Sequence, residues 1–320
     1  MLDKNDFNKK QIIFMFANQG DTVGFRNDNL VIRDAEKKIK LQVTCYRVIL
    51  LVIIGHTAIT TGLIQRCNKF GFSIALMTPG FRLYQIIGKK HEGNTLLHLN
   101  QYRYQSVDLA RRLIENKLRN QGKALVLVRN KTEIQKKAIC CMDEYLSKLS
   151  ECDSLERLMG FEGAAARVYF ENFFNNIEWN GRKPRVKNDM VNAALDLGYT
   201  VLFTFVEMLL SLYGFDLYYG VMHRSFYMRK SLVCDLVEPF RVMIDSRTKK
   251  AINLKQFKKE DFNVNNLRYE LKWEKSPEYV SVFLKEILSR KEEIFSYIQS
   301  YYRCFMKGKP ASEFPMYEWE

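Results

Sequence analysis

A chain of 320 residues, 47% hydrophobic and 27% charged, carries enough apolar material for two cored domains and excludes general disorder. Fifty Lys and Arg against 36 Asp and Glu leave a formal charge of +14, which points to a polyanionic partner, nucleic acid ahead of an anionic membrane surface. A membrane reading has little support: the opening MLDKNDFNKKQ lacks a signal-peptide core, the apolar run 48–54 is too short to span a bilayer, and the run 197–215 holds Glu207 and reads as a buried helix.

Residues 11–88 divide into short β-rich runs, QIIFMFA, TVGF, NLVIR, KIKLQV, VILLVII, FSIALM and FRLYQII, with 18–21 and 27–29 reading as hairpin turns. One helical pattern interrupts them at 57–70, with Thr57 as its cap and Ile59, Leu63, Ile64 and Cys67 on one side. His56, where a strand turns into that helix, reads as structural. The expected fold is α+β in two domains: a small β-rich domain with one helix over 1–88, a polar linker over 89–100, and a larger all-helical catalytic and DNA-binding domain over 101–320. Long apolar strands in a small domain need cover for their outer face and edges, and pairing with a second copy supplies it.

The helical texture begins at 101. Apolar residues at 107, 110, 113, 114 and 118 define one face, and Arg111, Arg112, Lys117 and Arg119 stand on the other, solvated or turned to phosphate. In 154–174, Ser154 is the expected cap, and Leu155, Leu158, Met159, Ala165, Ala166, Tyr169, Phe170 and Phe173 follow helical spacing with Glu162 at the centre of their stripe. An unpaired buried carboxylate costs several kcal/mol, so Glu162 needs a metal, a cationic partner or a site. Gly160 and Gly163 each weaken that helix by roughly 1 kcal/mol relative to alanine, a loss best explained if another backbone or a ligand comes close. A hydrophobic helix follows over 190–213, then a lysine-rich loop, KQFKKEDFNVNN, and a final helix over 277–305 capped by Ser276 with Pro277 in its first turn.

The chemistry concentrates in 223–241, HRSFYMRKSLVCDLVEPFR. Asp235 and Glu238 are three apart, on one face of a helix that Pro239 should kink. Two carboxylates about 4 Å apart repel by roughly 4 kcal/mol at an effective dielectric of 20, so Glu162, His223, Asp235 and Glu238 gathered together call for a cation. Carboxylate oxygens with one imidazole nitrogen suit Mg2+ or Mn2+ better than the sulfur-rich sites of structural zinc. Arg224, Arg229, Lys230 and Arg241 crowd the same segment and are the expected phosphate contacts. The seven cysteines, odd in number and without a C-x-x-C pair, fit a reducing, cytoplasmic compartment, and the common nucleotide-hydrolysis and hydrolase motifs are absent.

Four segments in order, LMGFEGAAARVYF (158–170), NDMVNAALDLGYTVLF (188–203), GFDLYYGVMH (214–223) and RKSLVCDLVEPFR (229–241), resemble the CRISPR-associated integrase of spacer acquisition, and the last is most similar to its type V branch. The resemblance implies metal ligands at Glu162, His223 and Glu238, with Asp235 assisting. It implies a homodimer through the β domains, a small ferredoxin-like partner protein, and double-stranded DNA as spacer precursor and repeat array. The implied reaction is attack of a 3′-hydroxyl on a phosphodiester. The basic loop RKPRVKND departs from the family pattern in carrying one proline, which bears on Arg185 and Lys187 as DNA contacts. A branched-DNA or repair nuclease and a non-catalytic nucleic-acid scaffold are the alternatives.

Overall fold

The computed structural model describes residues 9–79, 83–88, 94–104, 107–223 and 227–320. They form two compact units, one made of the described residues through Thr95 with Glu207–Phe215, the other of Leu96–Val206 with Asp216–Glu320.

The first unit contains β1 (Gln11–Ala17), β2 (Thr22–Arg26), β3 (Asn29–Arg33), β4 (Ile39–Thr44), β5 (Val48–Gly55), α1 (Thr61–Phe70), β6 (Ser73–Met77) and β7 (Leu83–Gly88). Two sheets result, one in the order β1-β5-β6-β7 and the other β2-β3-β4. β5 is buried at all eight positions because it lies between β1 and β6, parallel to both, and the run VILLVIIG suits a strand covered on both faces. Leu51 and Ile53 join Leu30 and Ile32 of β3, and Leu63 and Cys67 of α1, in one apolar cluster.

Two sequence readings change here. The turn at Asn27–Asp28 is a hairpin, both residues having positive φ, but 18–21 is not: it carries the chain from β1 into the other sheet. The helix begins at Thr61, and its cap is Thr60, whose hydroxyl accepts from the Leu63 amide. Thr57 instead donates its hydroxyl to the Asp21 carbonyl.

Helices dominate thereafter: α2 (Thr95–Arg103), α3 (Val107–Val126), α4 (Glu133–Lys148), α5 (Leu155–Phe173), α6 (Met190–Tyr213), α7 (Ser231–Val237), α8 (Arg241–Asn253), α9 (Ser276–Ser289) and α10 (Lys291–Met306). Of the stretch 89–100 read as a linker, 89–93 lie outside the described residues, and Thr95 already opens α2. Its polar composition hides a helix that buries Leu97 and Gln101. The lysine-rich loop read after α8 runs into a hairpin, β8 (Phe262–Asn265) and β9 (Arg268–Leu271), turning on Asn266 and Leu267, both at positive φ. Four-residue strands that mostly face water leave little alternation to read, which is why the all-helical expectation overlooked them.

The final helix is two helices. Arg290 leaves helical geometry between α9 and α10, with its guanidinium near Glu286 and Glu293 and over the Trp319 ring. α6 is long and apolar enough to cross a membrane by composition, yet 78% of its most apolar window is buried inside the fold. A side chain at Gly198 would place its Cβ 2.5 Å from Ile244, so this glycine lets α6 and α8 pack closely.

Candidate active site

α5 delivers Glu162. Ser154 caps it by accepting from the Arg157 amide, and the row Leu158, Glu162, Ala165, Tyr169 descends one side of the helix. Leu158, Ala165 and Tyr169 are buried, whereas the Glu162 side chain keeps 25% of its surface, so it stands at the edge of the core and not within it. Gly160 and Gly163 face open space; the backbone approach expected of them does not occur, and Gly163 lines a cavity.

Glu238 arrives from a different direction. Pro239 breaks the helix as expected, and a 3-10 turn, Glu238–Phe240, joins α7 to α8. The carbonyl of Pro239 accepts from the Asn120 side chain of α3, and Asn120 and Asn116 also hold the backbone of Tyr317. α3 is thereby tied both to the Glu238 turn and to the C-terminal segment.

Lys117 of α3 lies between the two glutamates. Its ammonium hydrogen-bonds Glu162 Oε1 and stands 2.7 Å from Glu238 Oε2. The lysine read as a surface cation is 7% exposed. Its register carries the signal: 110, 114, 117, 121 and 124 form one buried helical row. Arg241 completes the set, its guanidinium 3.0 Å from Glu238 Oε1 and 4.7 Å from the centre of the Tyr199 ring. Arg241, expected on phosphate, is thus engaged with a carboxylate.

The electrostatics follow. Burial pushes Glu238 up, but Arg241 and Lys117, with a smaller contribution from His223, outweigh it and hold the carboxyl down at about 2. Burial also opposes the charge on Lys117, and Glu238 and Glu162 overcome it, leaving its pKa above the ordinary lysine value. Two carboxylates and two cations thus balance within this cluster.

Asp235 is fully buried and has a different task. Oδ2 accepts from the amides of Val221 (2.5 Å) and Met222 (3.0 Å); Oδ1 accepts from the amide of His223 (3.0 Å) and lies 2.6 Å from His223 Nδ1. With three amides and an imidazole on its two oxygens, it orients His223 and leaves Nε2 as the other ring nitrogen; it is not placed to bind an ion alongside Glu238. Gly220 permits this: a Cβ there would stand 2.8 Å from Asp235 Oδ2 and 2.7 Å from the His223 carbonyl.

Glu162, Lys117 and Arg241 border a cavity of about 470 Å3, also lined by Arg167, Arg182, Lys183, Tyr199 and Asp245. Asp245 is buried and accepts from the hydroxyls of Tyr169 (3.1 Å) and Tyr199. Burial raises its pKa, the two tyrosines oppose that, and the carboxyl ends at about 6. Tyr199 and Asp245 were not singled out by sequence, since one carboxylate in a helix with charged neighbours gives no signal. Arg182 pairs with Asp196 at 2.6 Å and donates to Asn192, fixing the basic loop against α6.

Of the other expected DNA contacts, Arg185 is exposed at φ +66°, and the Lys187 carbonyl accepts from the Tyr269 amide of the hairpin. Arg229 and Lys230 are half-buried just before α7, and Arg224 lies outside the described residues. Among the described residues no three His, Cys, Asp or Glu side chains converge tightly enough to hold a metal ion. The donors nonetheless fit a hard divalent ion in kind: two carboxylates and an oriented imidazole.

Fold and side chains together define an α+β protein whose helical unit carries an acidic and imidazole site beside a basic cavity. The chain belongs to the family described as CRISPR associated protein Cas1, whose sequence profile matches residues 14–285. It is 31% identical over 228 residues to CRISPR-associated endonuclease Cas1 1 of Thermodesulfovibrio yellowstonii, covering 66% of this chain and 71% of that protein. In fold it is similar to a chain of a Cas6-RT-Cas1–Cas2 complex (TM-score 0.78, 18% identity, 98% of this chain and 36% of that one). It is also similar to a casposase bound to integration product (TM-score 0.75, 19% identity, 96% and 94%).

Proposed function

We propose that this chain is a divalent-metal-dependent DNA integrase and endonuclease that inserts short duplex DNA into a CRISPR repeat array. The observation that carries the reading is the meeting of Glu162 and Glu238, 76 residues apart, on one buried ammonium, in a protein of the Cas1 family. Support comes from relatives named as endonucleases and from fold neighbours described as a casposase on its integration product and a complex with Cas2.

In this reading Glu162, Glu238 and His223 would hold Mg2+ or Mn2+. Such an ion would supply Lewis-acid polarisation of a phosphoryl oxygen for a 3′-hydroxyl attack on a phosphodiester. Asp235 keeps the His223 ring in place, and Arg241 sets the rotamer and ionisation of Glu238. Arg167, Arg182 and Lys183 offer positive charge at the cavity to a DNA backbone, with Arg229 and Lys230 nearby in sequence to His223. The partners are double-stranded DNA, a second copy of the chain and a small ferredoxin-like protein.

Strand transfer of a labelled short duplex into a supercoiled plasmid bearing the repeat, with Mg2+ or Mn2+, tests the proposal. Glu162→Gln, Glu238→Gln and His223→Ala should each abolish transfer and leave duplex affinity within a few-fold. Hydrolysis products alone would instead indicate a branched-DNA nuclease, and unchanged turnover in all three variants a non-catalytic role for these residues.

A further inference from the structure

The ammonium of Lys117 stands where the two acidic groups of the site converge, and it is a poor fit for a purely structural salt bridge. One of its partners, Glu162, is a quarter exposed and lines the cavity, and the other, Glu238, already has a second cation on its other oxygen. Arg241 is anchored twice, by Glu238 and by the Tyr199 face. Among the described residues Lys117 pairs with these two carboxylates alone, at the end of a flexible stem, and it borders the cavity of about 470 Å3.

We infer that Lys117 is a resident counter-ion that competes with the divalent ion: it neutralises Glu162 and Glu238 in the ion-free site and withdraws into the cavity when an ion takes their oxygens. The inference rests on the metal-binding reading above and adds what happens to the positive charge already there. Two carboxylates without a cation repel, which would spread the site before any ion arrived. A lysine between them keeps α5 and the Glu238 turn together. A singly charged, strongly hydrated ammonium then yields to a divalent ion more readily than a forked guanidinium would. Once displaced, its charge faces the cavity lined by Arg167, Arg182 and Lys183, where a phosphate is the group it would meet.

Binding of Mn2+ to the full chain is measured by calorimetry for the wild type, Lys117→Met and Glu162→Gln. Lys117→Met, close in length but uncharged, should bind Mn2+ about tenfold more tightly than the wild type, because no resident cation is displaced. A structural role predicts the opposite, since a loosened site binds more weakly; equal or weaker binding overturns the inference. A second measurement needs no variant. Acylation of the Lys117 amine, read by mass spectrometry on the wild type, should be slow without Mn2+ and several-fold faster at saturation; unchanged labelling overturns the inference. If neither the wild type nor Lys117→Met takes up Mn2+, the metal-binding reading itself falls, and this one with it. If Mn2+ binds, Glu162→Gln weakens it and Lys117 responds in neither assay, only the counter-ion inference falls.

Discussion

His223 Nδ1 lies 2.6 Å from Asp235 Oδ1, and the same carboxylate collects the amides of Val221, Met222 and His223. One buried aspartate therefore folds the segment before His223 and aims the ring. Asp235→Ala would leave three inward amides without an acceptor, at a cost of at least about 3 kcal/mol. Asp235→Asn keeps one acceptor oxygen and should cost less, about 1–2 kcal/mol, while removing the charge that fixes His223. Urea unfolding of both variants checks the order, and strand transfer by Asp235→Asn should fall although its fold survives.

Gly220 offers an independent probe of the same geometry. Its missing Cβ is the space that Asp235 Oδ2 and the His223 carbonyl occupy. Gly220→Ala should lower stability by about 1–3 kcal/mol through overpacking and should reduce activity by more than Gly198→Ala does at equal loss of stability, because only the former displaces His223. Paired melting and transfer assays separate the two.

Asp245 sets a pH dependence opposite in sign to that of Glu238. Its carboxyl is raised from the ordinary 3.8 to about 6, so between those values the folded chain holds a proton that the unfolded chain has released, and stability falls as pH rises through the window. The full effect of this group is roughly 3 kcal/mol. Glu238, lowered from 4.5 to about 2, contributes stability that is present above pH 4.5 and lost as the pH falls toward 2. Asp245→Asn should flatten the decline between pH 4 and 6 and leave the acid limb in place; urea midpoints measured from pH 3 to 7 read both limbs.

Arg229 precedes α7 with its Nε buried and lacking a hydrogen bond. If its guanidinium meets a DNA phosphate, Arg229→Ala should shallow the slope of log K against log salt by about 0.9. Titrations between about 50 and 200 mM salt measure it, and an unaltered slope removes this residue from the interface.

Much of this molecule was legible from its residues alone. Alternating and β-branched runs marked the strands, the bounds of α6 and the Ser154 cap emerged from apolar periodicity and local chemistry, and Glu162 stood out because a carboxylate in an apolar row demands a partner. These are properties of neighbours within a few positions, and the sequence carries them directly. The identity of the partner was not of that kind. Lys117 shares its stretch of α3 with Arg111, Arg112 and Arg119 and looks like one more surface cation; only the packing of α3 against α5 and the Glu238 turn buries it between two acids. The same holds for Asp235, whose three amide partners lie twelve to fourteen residues upstream on a loop with no periodicity, and for the parallel pairing of β1 with β5. Periodicity records which face of an element is apolar, while the charge that ends up opposite a given carboxylate depends on distant segments meeting, and that is decided by tertiary packing.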